Sequence, residues 1–214
     1  MMTTHNPFIP ELNADLILRA YQAGIFPMAD SADDPDIFWV SPEHRGIIPL
    51  DGLHVSKSLR KAIRTTAFET RVDSDFELTI ENCATKGTER ETTWINSTIR
   101  RLYGELFERG YCHTVEVWDG AEMVGGLYGI AIGGAFFGES MFHTRTNASK
   151  IALVHLVDRL NAGNFRLLDT QFLTDHLESL GAIEIPRSEY ELRLAKAMEV
   201  RGDFGAWDHI AGRN

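Results

Sequence analysis

The chain is poor in cysteine and has no long apolar run, no surplus of positive charge and no metal-ligand spacing. Each absence closes a route. Cys83 and Cys112 are its two cysteines and could make one bridge at most, which excludes a disulfide-stapled secreted scaffold. Their spacing does not suggest metal, and the eight histidines include no His-x-x-x-His pair, so no metal site and no cofactor is expected. No apolar run approaches the roughly eighteen residues of a spanning helix, so no membrane role is expected. The start, Met-Met-Thr-Thr-His-Asn-Pro, lacks the basic and apolar stretches of a secretory signal, and the expected location is the cytoplasm, with reduced thiols. Acidic residues outnumber basic ones 31 to 21, a net charge of −10, which argues against a general nucleic-acid coating protein. A local basic patch remains possible, and one is present.

What is there amounts to one domain, or one with a small extension. The 214 residues are 43% hydrophobic and 24% charged, ordinary for a globular protein, with no internal repeat or low-complexity segment. The organising stretch is 125–142, two apolar runs joined by Gly133-Gly134, a pair that tolerates the positive φ of a tight hairpin. The second run ends in Gly138-Glu139-Ser140, and no basic residue lies between Arg109 and Arg145. A buried unpaired carboxylate is costly, so Glu139 sits at a polar opening or has a partner from elsewhere in the chain. The alternative is a strand-end glutamate facing solvent.

In chain order, a helix is expected over 13–24, capped by Asn13 and stopped by Gly24, followed by extended Ile25 to Met28. An acidic loop leads to the apolar run Ile37 to Val40. A second helix, capped by Ser56, gathers Lys57, Arg60, Lys61 and Arg64 on one side by their i, i+3, i+4, i+7 spacing. Those four cations suit phosphates, although a solvated helix face has the same pattern. A polar loop at 86–92 precedes Trp94, which is either packing or a stacking platform for a base, and a helix capped by Asn96 or Ser97. Alternating strands follow at 113–118 and from Met123, then a helix from Asn147, a buried strand at 166–170, and a short helix capped by Thr174. A strand at 182–185 and a last helix, opened by a Ser188-x-x-Glu191 capping box, complete the reading. The pattern is α+β: an antiparallel sheet with helices on its faces, continuing through a parallel crossover. Residues 1–44 read as a small N-terminal lobe, 45–200 as the catalytic domain and 201–214 as a polar, loose tail.

Ser140, Asp169 and His176 stand in the nucleophile, acid, base order of α/β-hydrolases. The elbow Gly-x-Ser-x-Gly is not met, because Phe142 occupies the last position, and this triad is a decoy. Asp169 and Gln171 lie two apart on one strand and so face the same way. An aspartate in the apolar frame Leu167-Leu168-Asp169 is a functional candidate, with a structural ion pair as the alternative.

Several blocks, in order, resemble the leucyl/phenylalanyl-tRNA–protein transferases: Ala20 to Pro27, Trp39-Val40-Ser41-Pro42, Thr93-Trp94-Ile95, Ser140-Met141-Phe142, Asn147 to Lys150 and Leu168 to His176. The resemblance covers residues 12 to 193 and implies a fold like that of the GNAT acetyltransferases. It implies an enzyme that moves leucine, phenylalanine or methionine from aminoacyl-tRNA to the N-terminal amine of proteins beginning with arginine or lysine, marking them for degradation. In that role Asp169 would accept a proton from the amine or orient it, Gln171 would assist, and Glu139 would hold the acceptor. Leu127, Phe136, Leu153, Leu156 and Leu168 match positions lining the donor side-chain pocket, although any one of them also suits a plain core. Trp94 would stack on the terminal adenosine, and Met28 stands where many relatives carry a second stacking tryptophan. Relatives also tend to carry a longer N-terminal leader and aromatic residues where this chain has Leu156 and Leu160. Two other classes stay open, a coenzyme A-dependent N-acyltransferase and a non-catalytic tRNA-binding module. Residues 138–150 lack the Gly-x-Gly turn that would cradle a pyrophosphate.

Overall fold

The structure is a computed structural model and describes residues 12–34, 36–86 and 93–211, without the side chains of 86 and 209–211. The expected polar loop lies outside the described residues from 87 to 92. Helix α1 (Ala14–Gln22) begins where the Asn13 side chain accepts from the Leu16 N–H and ends at Gly24, whose φ is +76°. Strands β1 (Phe26–Met28) and β2 (Phe38–Val40) form a separate antiparallel ribbon. Next come β3 (His44–Ile48), α2 (Lys57–Thr65, capped by Ser56), β4 (Glu69–Val72), α3 (Phe76–Lys86) and α4 (Ser97–Glu108, capped by Asn96). The centre is the meander β5 (Cys112–Asp119), β6 (Glu122–Ile132) and β7 (Ala135–His143). Gly133 makes the β6–β7 turn at φ +57°. Then follow α5 (Ala148–Ala162), β8 (Leu167–Gln171), α6 (Asp175–Glu178), β9 (Ile183–Pro186), α7 (Arg187–Met198) and α8 (Ala206–Ala211).

Seven strands make one sheet in the order β4-β5-β6-β7-β8-β3-β9. Every pairing is antiparallel except β7–β8, which the α5 crossover makes parallel. The α+β reading therefore holds. Sequence reading did not find β3, a short strand with a charged start and a central Gly46 that enters between β8 and β9.

The sheet separates two cores. One face packs against α1, α3, α4 and α7, with Tyr21, Tyr103, Phe137 and Tyr190 inside. The other packs against α2 and α5, with Phe136, Leu153, Leu156 and Leu168 inside. Phe136 and Phe137 are adjacent on β7 and both fully buried, one in each core, as the two-residue period of a strand requires. Each such ring contributes about 1.5–3 kcal/mol by leaving water.

Two expectations fail locally. The last helix starts at Arg187 with Pro186 as its N-cap, and Ser188 caps nothing. Pro186 brings a φ of −60° already suited to the position, and the Arg187 N–H goes to the Glu43 carbonyl at 2.8 Å, prolonging the β9–β3 pairing. Residues 202–208 of the C-terminal stretch are not loose either. Phe204 is buried between the rings of Phe136 and Phe165, with centroids 5.6 and 6.4 Å away. The Gly202 N–H bonds to the Gly133 carbonyl, and Arg159 pairs with Asp208 at 2.6 Å. One phenylalanine filling an apolar gap is enough to dock an otherwise polar segment.

Candidate active site

The site forms where β7 and β8 part. Their parallel pairing runs from Ala135–Leu167 to Phe137–Asp169 and stops there, while β7 continues to His143. Beyond that point the backbones no longer bond, and the Gln171 side chain spans the gap, its Nε2 donating to Glu139 Oε1 at 3.0 Å. Gln171 adopts φ +63°, a left-handed conformation that side chains other than glycine avoid, so its surroundings hold it there. On the other side, the β6–β7 register slips between Tyr128 and Gly129, directly beside Glu139.

Glu139 is 8% exposed and surrounded by neutral donors. Tyr21 Oη donates to Oε1 at 2.6 Å and Tyr103 Oη to Oε2 at 3.1 Å, and the two hydroxyls also touch each other. These three contacts close a ring. Burial raises the Glu139 pKa from the ordinary 4.5 to about 7, against the bonds from Tyr21, Tyr103 and Gln171, which favour the charged form. Burial first, and the Glu139 charge second, hold the Tyr21 and Tyr103 phenols well above their usual range, so both stay protonated donors.

Asp169 is treated differently. It is fully buried and paired with Arg45, which is 2% exposed, at 2.6 Å. Oδ1 accepts from Arg45 Nε at 2.9 Å and from the Gln171 backbone N–H at 2.7 Å. Oδ2 accepts from Arg45 Nη2 at 2.6 Å and Tyr190 Oη at 2.7 Å. A carboxylate offers about four lone-pair sites, and here all are taken. Among the described residues the acceptor positions of Asp169 are therefore occupied. What Asp169 does is fix the strained Gln171 backbone. Arg45 in turn lies between the Phe26 and Tyr190 rings, 4.5 Å from each centroid, and donates to the Gly24 carbonyl.

Asp169 and Gln171 are thus brought together, as strand parity implied, and Glu139 joins them from β7. The five donor-pocket residues Leu127, Phe136, Leu153, Leu156 and Leu168 also come together, in the opposite core, all at most 3% exposed. The sheet lies between them and the carboxylates. Met141 and Leu173, half-buried on that second core, follow the point where β7 and β8 part. Trp94 and Met28 are partly buried against the first core, Met28 opposite Phe38 on the ribbon. Lys57, Arg60, Lys61 and Arg64 are all exposed on α2. The hydrolase-like order does not become a triad: Asp169 bonds Arg45, and His176 lines a cavity with Lys150 and His143. Among the described residues no group of three His, Cys, Asp or Glu side chains could hold a metal.

Four residues of the network escaped sequence reading. They are Tyr21, Tyr103, Arg45 and Tyr190. Their one available signal was polar chemistry in apolar settings, such as Arg45 just before Gly46-Ile47-Ile48.

A profile of the leucyl/phenylalanyl-tRNA protein transferase family matches residues 47–195, and one for the N-terminal domain of that family matches 10–43. The chain belongs to this family. It is accordingly an aminoacyltransferase, drawing on aminoacyl-tRNA and a protein acceptor. A leucyl/phenylalanyl-tRNA–protein transferase from Afipia carboxidovorans is 52% identical over 205 residues, 96% of this chain and 90% of that relative. Among solved structures, the C-terminal domain of an Agrobacterium fabrum protein described as a lysylphosphatidylglycerol synthetase overlaps 92% of this chain at 9% identity. Its TM-score is 0.42, and the chain spans 62% of its length. No helix among the described residues is long and apolar enough to cross a membrane.

Proposed function

We propose that this transferase moves leucine, with phenylalanine and methionine as further donors, from charged tRNA to the N-terminus of proteins beginning with arginine or lysine, which are thereby marked for degradation in the cytoplasm. The observation that carries the mechanism is the pair of contrasted carboxylates at the β7–β8 opening. Among the described residues Glu139 Oε2 accepts one bond where it has room for two, which leaves one acceptor position for an incoming amine. Its pKa of about 7 lies close to the 7.7–8.0 of an α-amino group, so a proton passes between them at little cost. The amine nitrogen attacks the ester carbonyl, the bond from the carbonyl carbon to the ribose oxygen breaks, and a peptide bond forms. Glu139 takes the amine proton and returns it to the departing ribose oxygen.

Asp169 acts as a positioning residue, through Gln171. The ester is already reactive, so alignment supplies much of the acceleration. The apolar cluster of Leu127, Phe136, Leu153, Leu156 and Leu168, with Met141 and Leu173 half-buried against it, suits an aliphatic or aromatic donor side chain. One methylene there discriminates by only about 1–3 kcal/mol, in keeping with several donors. Trp94 and Met28 would offer the terminal adenosine its stacking surfaces, and the α2 cations would receive acceptor-stem phosphates. A net charge of −10 favours a cationic acceptor over an acidic one. An acetyltransferase-like arrangement is supported by the antiparallel run β4 to β7 continued through α5 into a parallel strand that diverges from β7.

The test is transfer of label from radiolabelled leucyl-tRNA to an Arg-starting peptide without coenzyme A. Label passes to the peptide, and Glu139→Gln lowers kcat by about a hundredfold, the lower end for a lost general base. Full turnover in Glu139→Gln removes the role given to Glu139, and a requirement for coenzyme A removes the reading.

A further inference from the structure

At the far end of β7 a cavity of about 500 Å³ opens between the turn into α5 and the segment carrying α6. His143, Arg145, Lys150 and His176 line it, and no aspartate or glutamate does. In a chain of net charge −10, that concentration of one sign is not a matter of average composition. Lys150 takes part in no ion pair among the described residues. Arg145 meets Glu122 at 3.1 Å, but both side chains are at least half exposed, so water weakens the pair. Burial, then the charges of Lys150 and His143, hold the His176 pKa below its usual value. No anion among the lining residues offsets the charges of Arg145 and Lys150.

The position of the cavity says which anion suits it. Lys150 precedes Leu153 by one helical turn on α5, and Leu153 belongs to the cluster assigned to the donor side chain. The start of α5 is pressed on β6: a Cβ on Gly125 would lie 2.5 Å from the Ala148 Cβ, so only glycine allows this approach and the cavity wall is fixed. At the start of α5 the Ala148 N–H bonds to the Arg145 carbonyl and the Ile151 N–H to the Asn147 carbonyl, and the helix dipole adds to the positive potential. An amino acid esterified to the end of an RNA has, as its nearest anion, the phosphodiester joining the last two nucleotides. We propose that this cavity binds the terminal phosphodiesters of the aminoacyl-tRNA, through Arg145 and Lys150, while the amino acid occupies the adjoining apolar cluster. The inference rests on the aminoacyl-tRNA reading above and adds a second phosphate site to the α2 face.

Two short donors separate the possibilities: leucyl-adenosine, which carries no phosphodiester, and leucyl-CCA trinucleotide, which carries two but lacks an acceptor stem. For Arg145→Gln/Lys150→Gln, the preference in kcat/KM for the trinucleotide over the adenosine falls about tenfold or more. The fall lies in KM, and the salt dependence of trinucleotide binding flattens by about 0.7 in logarithmic slope for each phosphate released. Arg145→Lys/Lys150→Arg, which keeps both charges, restores most of the preference. An unchanged preference and salt slope overturn the proposal, as does an equal loss with both donors, which would make the pair a support for the fold. If the unaltered enzyme transfers from neither short donor nor intact leucyl-tRNA, the aminoacyl-tRNA reading itself fails.

Discussion

Two carboxylates on neighbouring strands are buried to a similar degree and handled in opposite ways. Asp169 faces a guanidinium and has every acceptor position filled, whereas Glu139 faces two phenols and an amide and, among the described residues, keeps a position open. Desolvation penalises a charge in both places. A formal cation offsets the penalty at Asp169, which makes that group part of the scaffold. Neutral donors offset it only partly at Glu139, which leaves that carboxyl near its midpoint at neutral pH. Burial alone therefore says little about whether an acidic side chain takes part in chemistry; the kind of partner decides it.

The strongest way to break the comparison is to remove the cation. Arg45→Met leaves a buried, unpaired Asp169 and is expected to destabilise the fold by about 3–5 kcal/mol in urea denaturation. Arg45→Met/Asp169→Leu, which removes both charges, recovers much of that loss. A single variant as stable as the original would mean that Asp169 is not held as described.

Next is the pH dependence that Glu139 gives to stability. Its folded pKa lies above the unfolded value, so the folded state binds the proton more tightly. This contribution is fully present below about pH 4.5 and is lost as pH rises toward 7, about 3 kcal/mol in all at 1.36 kcal/mol per unit. Glu139→Gln has no such group, so its stability relative to the original chain rises between pH 5 and pH 8. Parallel stability curves for the two proteins would contradict the assignment.

A smaller change sharpens the contrast. Tyr103→Phe deletes a donor that favours the ionised form of Glu139, so the Glu139 pKa moves further up and the acid limb of the pH–rate profile shifts to higher pH. The stability cost is that of one hydrogen bond to a charged group, about 1.5 kcal/mol. Tyr190→Phe, on the Asp169 side, leaves the acid limb in place. Smallest in energy is the effect of reversing Lys57, Arg60, Lys61 and Arg64 to glutamate. Binding of intact tRNA weakens and loses salt dependence, while transfer from leucyl-CCA keeps its rate, because a trinucleotide has no stem to reach α2.

Local chemistry made much of this molecule legible beforehand. Asn13, Ser56 and Thr174 cap the helices that follow them, and Gly133-Gly134 turns the central hairpin. Strand parity alone put Asp169 and Gln171 on one side and Leu168 on the other. Glu139 was readable as a carboxylate lacking a nearby cation, and the expected remote partners exist, as tyrosines rather than a basic residue. What stayed hidden depends on long-range pairing. Arg45 reaches Asp169 across 124 positions and Tyr21 reaches Glu139 across 118, and no periodicity in a single sequence encodes such contacts. β3 escaped for the same reason, since Gly46, Ile47 and Ile48 become part of a strand only when β8 and β9 are there to flank them. The docking of Phe204 likewise depends on a gap between Phe136 and Phe165 that exists only in the folded chain.

The most direct measurement is the titration of the Glu139 side-chain carboxyl carbon by NMR, in protein labelled with carbon-13 glutamate, the resonance being assigned by its absence in Glu139→Gln. The account predicts a midpoint at about pH 7. A midpoint below about 5, in the ordinary range of a glutamate, would contradict it.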